Sequence, residues 1–527
     1  GLLRVKYTEA GTQGLVPPAS KPRFTEITGT RGLDFTHKDR PFDDFDFERL
    51  LPRKFSDNGP PLAVADLNQD GLEDFVAGGA AGMPAAIFLQ KADGAFEKKA
   101  SPALQRHAAS EDAVALFFDA NGDGAPDLYI GSGSNEFGAG DPRLQDRLYL
   151  NDGKGNFTLV AGALPQMQTP TGAVAALDFD QDGDLDIFAG GQVSPGNYPV
   201  APRSYLLQNQ NGKFADVTKE KAPALLYPGM VNAALATDLN SDGQADLLLA
   251  GEWMPLSLFA AANGELQPAE LPLDFLAWQT PPQQTTGWWQ SLVGADIDAD
   301  GDTDILAGNL GLNYRFGASP ESPLELFAGD FDRNGSIDPV LGYYQNGQLY
   351  PCVERDDLQE QMSFIKSKFG KYSDYARATL ADIFTAEALD TALHLQAQMF
   401  ETVLLRNQGN GRFAVEVLPE TAQVSATTAA IARDFTGDGR AELLLAGNLY
   451  GTGHQTPRLD AGTGLLLQQT LEQSWQPAGQ AATGFFAPGH TKSMVIVQTA
   501  KGPVVLVGNH NGKLQAFGGQ AGHTTLN

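Results

Sequence analysis

Apolar and polar positions alternate along this chain in blocks that recur. A short apolar run such as "PLAVA", "AVALFF" or "AAIAR" leads into a loop with an acid or amide at every second position. A second apolar run follows and ends in small residues, as in "DFVAGG", "DLYIGSG", "DIFAGG", "DLLLAGE", "DILAGN" and "ELLLAGN". Short apolar runs bounded by turn residues predict buried strands. A further pair of runs comes next in "IFLQKADGAF", "LYLNDGKGNF", "YLLQNQNGKF" and "VLLRNQGNGRF". Their Asn, Asp and Gly centres supply the positive φ of a tight reversal. Each unit therefore predicts four antiparallel strands in about 55 to 60 residues, the size of a β-propeller blade.

The acidic loops share the pattern Asp-x-Asp/Asn-x-Asp-Gly-x-x-Asp. The first five copies place Asp66, Asn68, Asp70 and Asp74, then Asp119, Asn121, Asp123 and Asp127, then Asp178, Asp180, Asp182 and Asp186, then Asp238, Asn240, Asp242 and Asp246, then Asp296, Asp298, Asp300 and Asp304. A sixth holds Asp330, Asp332, Asn334 and Asp338; a seventh holds Asp434, Thr436, Asp438 and Glu442, with Thr436 and Glu442 as departures. Oxygen side chains at positions one, three, five and nine, with Gly at six for the sharp turn, have the chemistry of a Ca2+ site. Mg2+ prefers a smaller octahedral shell, and zinc would want Cys or His nearby. Up to seven Ca2+ ions are expected. The plainer alternative is a set of solvated Asp-rich turns.

With these motifs and flanks, the chain resembles the FG-GAP/VCBS repeat family, as in the propellers of integrin α-subunits, of cartilage acidic protein and of bacterial surface proteins. The resemblance runs from about Pro60 to Phe517. It implies an all-β propeller in which the acid at position nine closes the metal shell. The last apolar runs, "SMVIVQT", "PVVLVGN" and "KLQAF", lack a fourth strand, and "RFTEIT" at Arg23–Thr28 resembles the fourth strand "KFADVT". The N-terminal strand is therefore expected to close the last blade and remove the open edges. Between Asp296 and Asp434 lies an insertion at about 354–397, where Leu358, Met362, Ile365, Tyr375, Ala376, Leu380 and Ile383 recur at helical spacing. What remains after its removal falls between one blade and two. Seven blades are expected, with eight as the alternative; in the seven-blade reading the Asp330 loop joins the outer two strands of blade five. The organisation is then an N-terminal segment at 1–59, propeller blades one to five at 60–353, the helical insertion at 354–397, and the remaining blades with closure at 398–527.

The formal net charge of −28 changes the picture in one direction. It suits bound cations and argues against nucleic acid, since no basic stripe is present to neutralise phosphates. Cys352 is the only cysteine, so no intrachain disulfide can form. No apolar run reaches the roughly 18 residues of a membrane-spanning helix. The opening "GLLRVKYTEAGTQG" has neither an initiating Met nor a signal-peptide pattern, and a processed or truncated chain is expected. The seven histidines are scattered, and no GxSxG, HExxH, phosphate loop or Arg-Gly-Asp motif occurs.

In a propeller the acidic loops and the strand-three to strand-four hairpins share one face. Loops after strand two form the other, and there Trp253, Trp288, Trp289, Asn309, Asn313, Asn448 and His510 are the candidate ligand or partner residues. Aromatics beside amides could stack on sugar or anchor a protein; the alternative is that Trp288 or Trp289 packs between blades. The expected function is a calcium-stabilised, exported module, extracellular or at a bacterial cell surface, for adhesion, surface assembly or carbohydrate capture. Its partner would be protein or carbohydrate, with oligomeric or polymeric assembly open. The reading is non-enzymatic. The alternatives are a calcium-dependent polysaccharide lyase or other carbohydrate-active propeller, and a purely structural subunit of a surface polymer.

Overall fold

A computed structural model describes residues 22–519, except 276, 277, 279, 280, 283, 410 and 471–473; the opening stretch thus lies outside the described residues. Each acidic loop joins two strands that the apolar runs form. In blade three, Thr171–Leu177 and Asp186–Gly191 flank the loop, and Tyr205–Asn209 and Phe214–Asp216 follow in order. All are antiparallel, with Leu177 opposite Asp186 and Leu207 opposite Ile187. The first strand alternates buried and half-buried residues, whereas the second is buried throughout. The second strand is covered by neighbouring sheets on both faces, which explains why its sequence is a continuous apolar run rather than an alternation.

Seven such sheets form a ring. Their first strands are Leu62–Ala65, Asp112–Phe118, Thr171–Leu177, Met230–Thr237, Ser291–Ala295, Ala429–Arg433 and Thr491–Thr499. Each lies beside the next in this order, and the last lies beside the first. Phe24–Glu26 supplies the outer strand of blade seven, with Phe24 opposite Gly519 and Glu26 opposite Phe517. The expected seven blades and N-terminal closure are both present.

No single core exists. Each pair of adjacent blades shares its own. Val76, Ile87, Leu128 and Ile130 fill the seam between blades one and two, and Tyr129, Leu148, Ile187 and Leu207 the seam between two and three. The remaining five seams have equivalent clusters. A chain too long for one compact core is thus divided into repeated small ones.

An eighth sheet lies outside the ring. Blade five pairs Asp304–Gly308 directly with Val403–Asn407, so residues 309–402 form an excursion between its second and third strands. This excursion holds Leu324–Gly329, Asp338–Gln345, Gln348–Pro351 and Leu393–Ala397 as one antiparallel sheet, and five short helices between Arg355 and Thr391. The Asp330 loop therefore joins two strands of the inserted sheet, not the outer strands of blade five. Residue spacing counts strands but cannot say which sheet they join. The helices enclose a separate cluster in which Leu358, Met362, Ile365, Tyr375, Leu380 and Ile383 are buried around Val340, while Ala376 is exposed.

A second unforeseen element is the segment at 36–58, which stretches across the mouth of the ring on the side away from the acidic loops. Thr36 bridges to Lys513 in blade seven, and Arg53 bridges to Thr452 after the second strand of blade six. Asp44, fully buried, accepts the backbone N–H of Phe55 at 2.7 Å and of Ser56 at 3.0 Å, which folds the segment back on itself. Phe45, Leu51 and Phe55 enter a central cluster with Tyr198, Trp253, Trp288 and Phe400. We call this segment the plug.

Candidate metal loops and the opposite face

All seven acidic loops fold alike. The carboxylate at position one accepts backbone N–H groups from positions five and six; in blade one, Asp66 takes Asp70 N at 3.1 Å and Gly71 N at 2.8 Å. Gly at position six has positive φ, 84° at Gly71 and 95° at Gly183, as the sharp turn requires. Position four is also left-handed, in Gln69, Gln181, Ser241, Ala299 and Arg333, which the motif did not reveal.

Position nine is buried in every loop: Asp74, Asp127, Asp186, Asp246, Asp304, Asp338 and Glu442. One oxygen of each accepts the N–H of position two, at 3.0 Å in Asp127 and 2.7 Å in Glu442. In blades one, two, three and five the other oxygen accepts the N–H of Gln90, Asn151, Asn209 or Asn407 on the third strand. The same carboxylate thus ties three strands together. Asn151 in turn donates to Leu67 O of blade one at 2.9 Å, and Asn209 to Ala120 O of blade two at 2.9 Å. Blades one and two, and blades two and three, are therefore latched through the loops.

Four loops bring three acidic side chains together, with one oxygen from each lying within 4.8 Å of the others: Asp178, Asp180 and Asp186; Asp296, Asp298 and Asp300; Asp330, Asp332 and Asp338; and Asp434, Asp438 and Glu442. One oxygen each of Asp180, Asp246 and Asp298 is buried without a hydrogen-bond partner. Burial lifts Asp74, Asp127, Asp246 and Asp304 to about 6 and Asp186 to about 7. Backbone N–H bonds pull these groups down and the other loop carboxylates push them up. The residues fit a hard divalent cation: the donor set is all oxygen, crowded, and has acceptor capacity to spare. Two position-three acids also have protein partners, since Asp298 pairs with Arg406 at 2.8 Å and Asp180 accepts from Gln208. In blades one and two Asn68 and Asn121 instead donate to Asp70 and Asp123 at 3.0 Å.

The opposite face differs from expectation. Trp253, Trp288 and Trp289 are buried, with at most 5% of their surface exposed. The Trp253 and Trp288 rings meet edge to face in the central cluster, and Trp289 packs in the seam between blades four and five. None presents a face to a ligand. Asn309 is likewise fully buried and holds backbone, accepting Trp288 N at 3.1 Å and donating to Met399 O at 3.2 Å. Asn448 donates to Gly462 O and Gly489 O, both at 2.9 Å. His510 is buried against Asn58 O at 2.6 Å. Asn313 alone of the set is exposed. The cause is the plug, together with the inserted sheet, which cover this mouth of the ring. The signal was in the sequence, in the apolar Phe42, Phe45, Phe47, Leu50, Leu51 and Phe55 within the N-terminal segment at 1–59.

The plug is held by charge as well as by apolar contact. Arg53 pairs with buried Glu252 at 2.6 Å, Tyr198 donates to the other Glu252 oxygen at 2.9 Å, and Trp253 Nε1 donates to Tyr198 at 2.6 Å. Arg40 reaches Glu136 of blade two at 2.8 Å, and Arg49 reaches Glu360 of the insertion at 2.8 Å. At the blade-seven end, His37, His490 and His510 cluster, with ring centroids 5.3 and 5.4 Å apart and Asp57 facing the latter two.

The ring, its closing strand and its acidic loops define the molecule as an all-β propeller, and part of it matches an FG-GAP-like repeat. That repeat is found in three places, at residues 66–130, 119–189 and 238–307. Cartilage acidic protein 1 of Xenopus tropicalis is 29% identical over 212 residues, an alignment covering 39% of this chain and 31% of that protein. The match thus spans about a third of the relative's length. Among solved structures, a lectin of Agrocybe aegerita is 14% identical, with a TM-score of 0.42 over 89% of this chain and 95% of the other. The V. cholerae biofilm matrix protein Bap1 is 12% identical, with a TM-score of 0.37 over 93% and 91%. Among the described residues no helix is long and apolar enough to cross a membrane.

Proposed function

We propose that this chain is a calcium-stabilised binding module working outside the cell or at its surface, where it adheres to protein or carbohydrate. A propeller with FG-GAP-like repeats fits a binding or surface module. The observation that carries the calcium reading is the convergence of three acids in four loops, each between the first two strands of its sheet. In each loop the side chains at positions one, three, five and nine would hold the ion. Bound Ca2+ would neutralise the carboxylates there. The chain itself supplies the turn, through Gly at six, and the rigid frame, through the position-nine bonds to neighbouring strands. Millimolar calcium outside cells would keep such sites filled.

The test is thermal unfolding of EDTA-treated protein at low salt with added CaCl2. Binding to the native state alone stabilises by about 2.7 kcal/mol per site at a hundredfold excess over Kd. A melting temperature that rises with calcium and not with equal MgCl2 is expected. A melting temperature indifferent to EDTA and to calcium would overturn the reading.

A further inference from the structure

The excursion at 309–402 is not needed to close the ring, yet it builds a pocket of its own. A cavity of about 300 Å³ opens between the edge strand Gln348–Pro351, the helices Arg355–Gln361 and Tyr372–Tyr375, and Arg315. Tyr343, Tyr350, Tyr372 and Tyr375 line it. We propose that this pocket binds one or two rings of a neutral carbohydrate. The inference rests on the binding-module reading and names its ligand class and its place.

Size, charge and surface each point to this. The volume stands at the lower end of the roughly 300–1,000 Å³ typical of small-molecule sites. Arg315 and Arg355 are balanced in the lining by Glu354 and Asp356, so the pocket favours neither an anion nor a cation. Tyr372 is 62% exposed and is nonetheless fixed: its hydroxyl donates to Asp356 at 2.8 Å, and the Arg355 guanidinium stacks on its ring at 3.9 Å. Arg355 covers one face of the ring; the exposed remainder, held ready in solvent, loses little side-chain freedom on binding and matches the apolar C–H face of a pyranose. Beside it, Arg355 donates to Asp356 at 3.1 and 3.3 Å, which sets donor and acceptor next to one another. Adjacent sugar hydroxyls, each both donor and acceptor, complement such a pair. Tyr375 is pinned at the pocket wall by its bond to Val353 O at 2.7 Å, so the wall is formed before any ligand arrives.

The experiment uses the whole chain in calcium, with saturation-transfer NMR and titration against cellobiose, maltose, lactose and chitobiose, and with glucuronate and glucose 6-phosphate as charged probes. At least one neutral disaccharide should bind with Kd on the order of 1 mM. Tyr372→Ala should weaken it about tenfold or more, and Tyr372→Phe, which keeps the ring, by less than about threefold. Both variants should retain the calcium-dependent rise in melting temperature. Three results would each overturn the proposal: no neutral sugar bound by protein with an intact calcium response, binding unchanged by Tyr372→Ala, or binding of charged sugars alone. Sugar binding without any calcium response would overturn the calcium reading and leave this one standing.

Discussion

Arg53 and Glu252 show what one buried pair does in this molecule. Both side chains are almost wholly out of water, and Tyr198 and Trp253 complete the network around them. Removing one partner leaves an uncompensated charge, which costs about 3–5 kcal/mol, whereas replacing both with apolar residues of similar volume is often close to neutral. Glu252→Ala is therefore expected to lower unfolding stability in urea by several kcal/mol, and the double variant Arg53→Met/Glu252→Met by much less. Equal losses in the single and double variants would show that packing, not charge, holds the plug. His37 is a second such residue. Burial first, then the charges of His510 and Lys492, push it down to about 3, so it is neutral in the folded state. The unfolded chain takes up a proton near the ordinary 6.5, so folded stability from this group is complete above about 6.5 and falls as the pH drops towards 3. Half-buried Asp39, lifted to about 7 chiefly by desolvation, acts in the opposite sense over part of the same range. Comparison with His37→Gln isolates the histidine: the wild type should lose stability relative to the variant by up to about 1.4 kcal/mol per pH unit below 6.5. Parallel pH profiles would show that His37 does not carry this dependence. The acids at position nine were legible in the sequence as part of a repeated acidic loop and as candidate metal ligands. That they also accept third-strand N–H groups was not, because Asn151 and Asn209 lie far along the chain from the acids that receive them.

Elements were legible wherever a local pattern repeated. The strand at Phe24–Glu26 could be assigned to blade seven because "RFTEIT" matches the fourth strand of another blade, and the register with Phe517–Gly519 bears this out. The inserted sheet and the plug have no second copy to compare with. The plug in particular has little regular structure, only the short turn at Asp44–Asp46, so neither helical nor strand period marks it. Its apolar residues are spaced to meet several different blades rather than one face. The tryptophans misled for a related reason: position after strand two fixes the face of the ring but not what lies on top of it. The closing strand makes its own prediction. A chain lacking residues 22–28 leaves Gln515–Gly519 as an open edge, a template for pairing with another chain. Amide protons of Ala516 to Gly518 should lose protection from hydrogen exchange, and the protein should self-associate on size exclusion. Unchanged protection would show that blade seven does not need this strand.

At the scale of the whole molecule, stability is the sum of seven similar seams. Each blade meets only its neighbours, as in other repeat architectures, but here the array bends round until its two ends share a sheet. The formal charge of −28 opposes compaction, and filling seven loops with Ca2+ would halve it. The two faces divide the work. One carries the acidic loops, which fasten blade two to blade one and blade three to blade two; the other is sealed by the plug and bordered by the insertion, whose pocket holds the exposed Tyr372 ring in a fixed pose.

The closing strand also sets an order of events. Phe24 leaves the ribosome long before its partner Gly519 has been made. Until blade seven emerges the first strand waits, while blades one to six can assemble behind it as each emerges. The plug waits too, because its anchor points at Thr452 and Lys513 come late in the chain. Only a chain that extends through blade seven can fasten the clasp. A product cut short before blade seven keeps both sheet ends open, and a protease can tell it from the complete ring without reading any further signal.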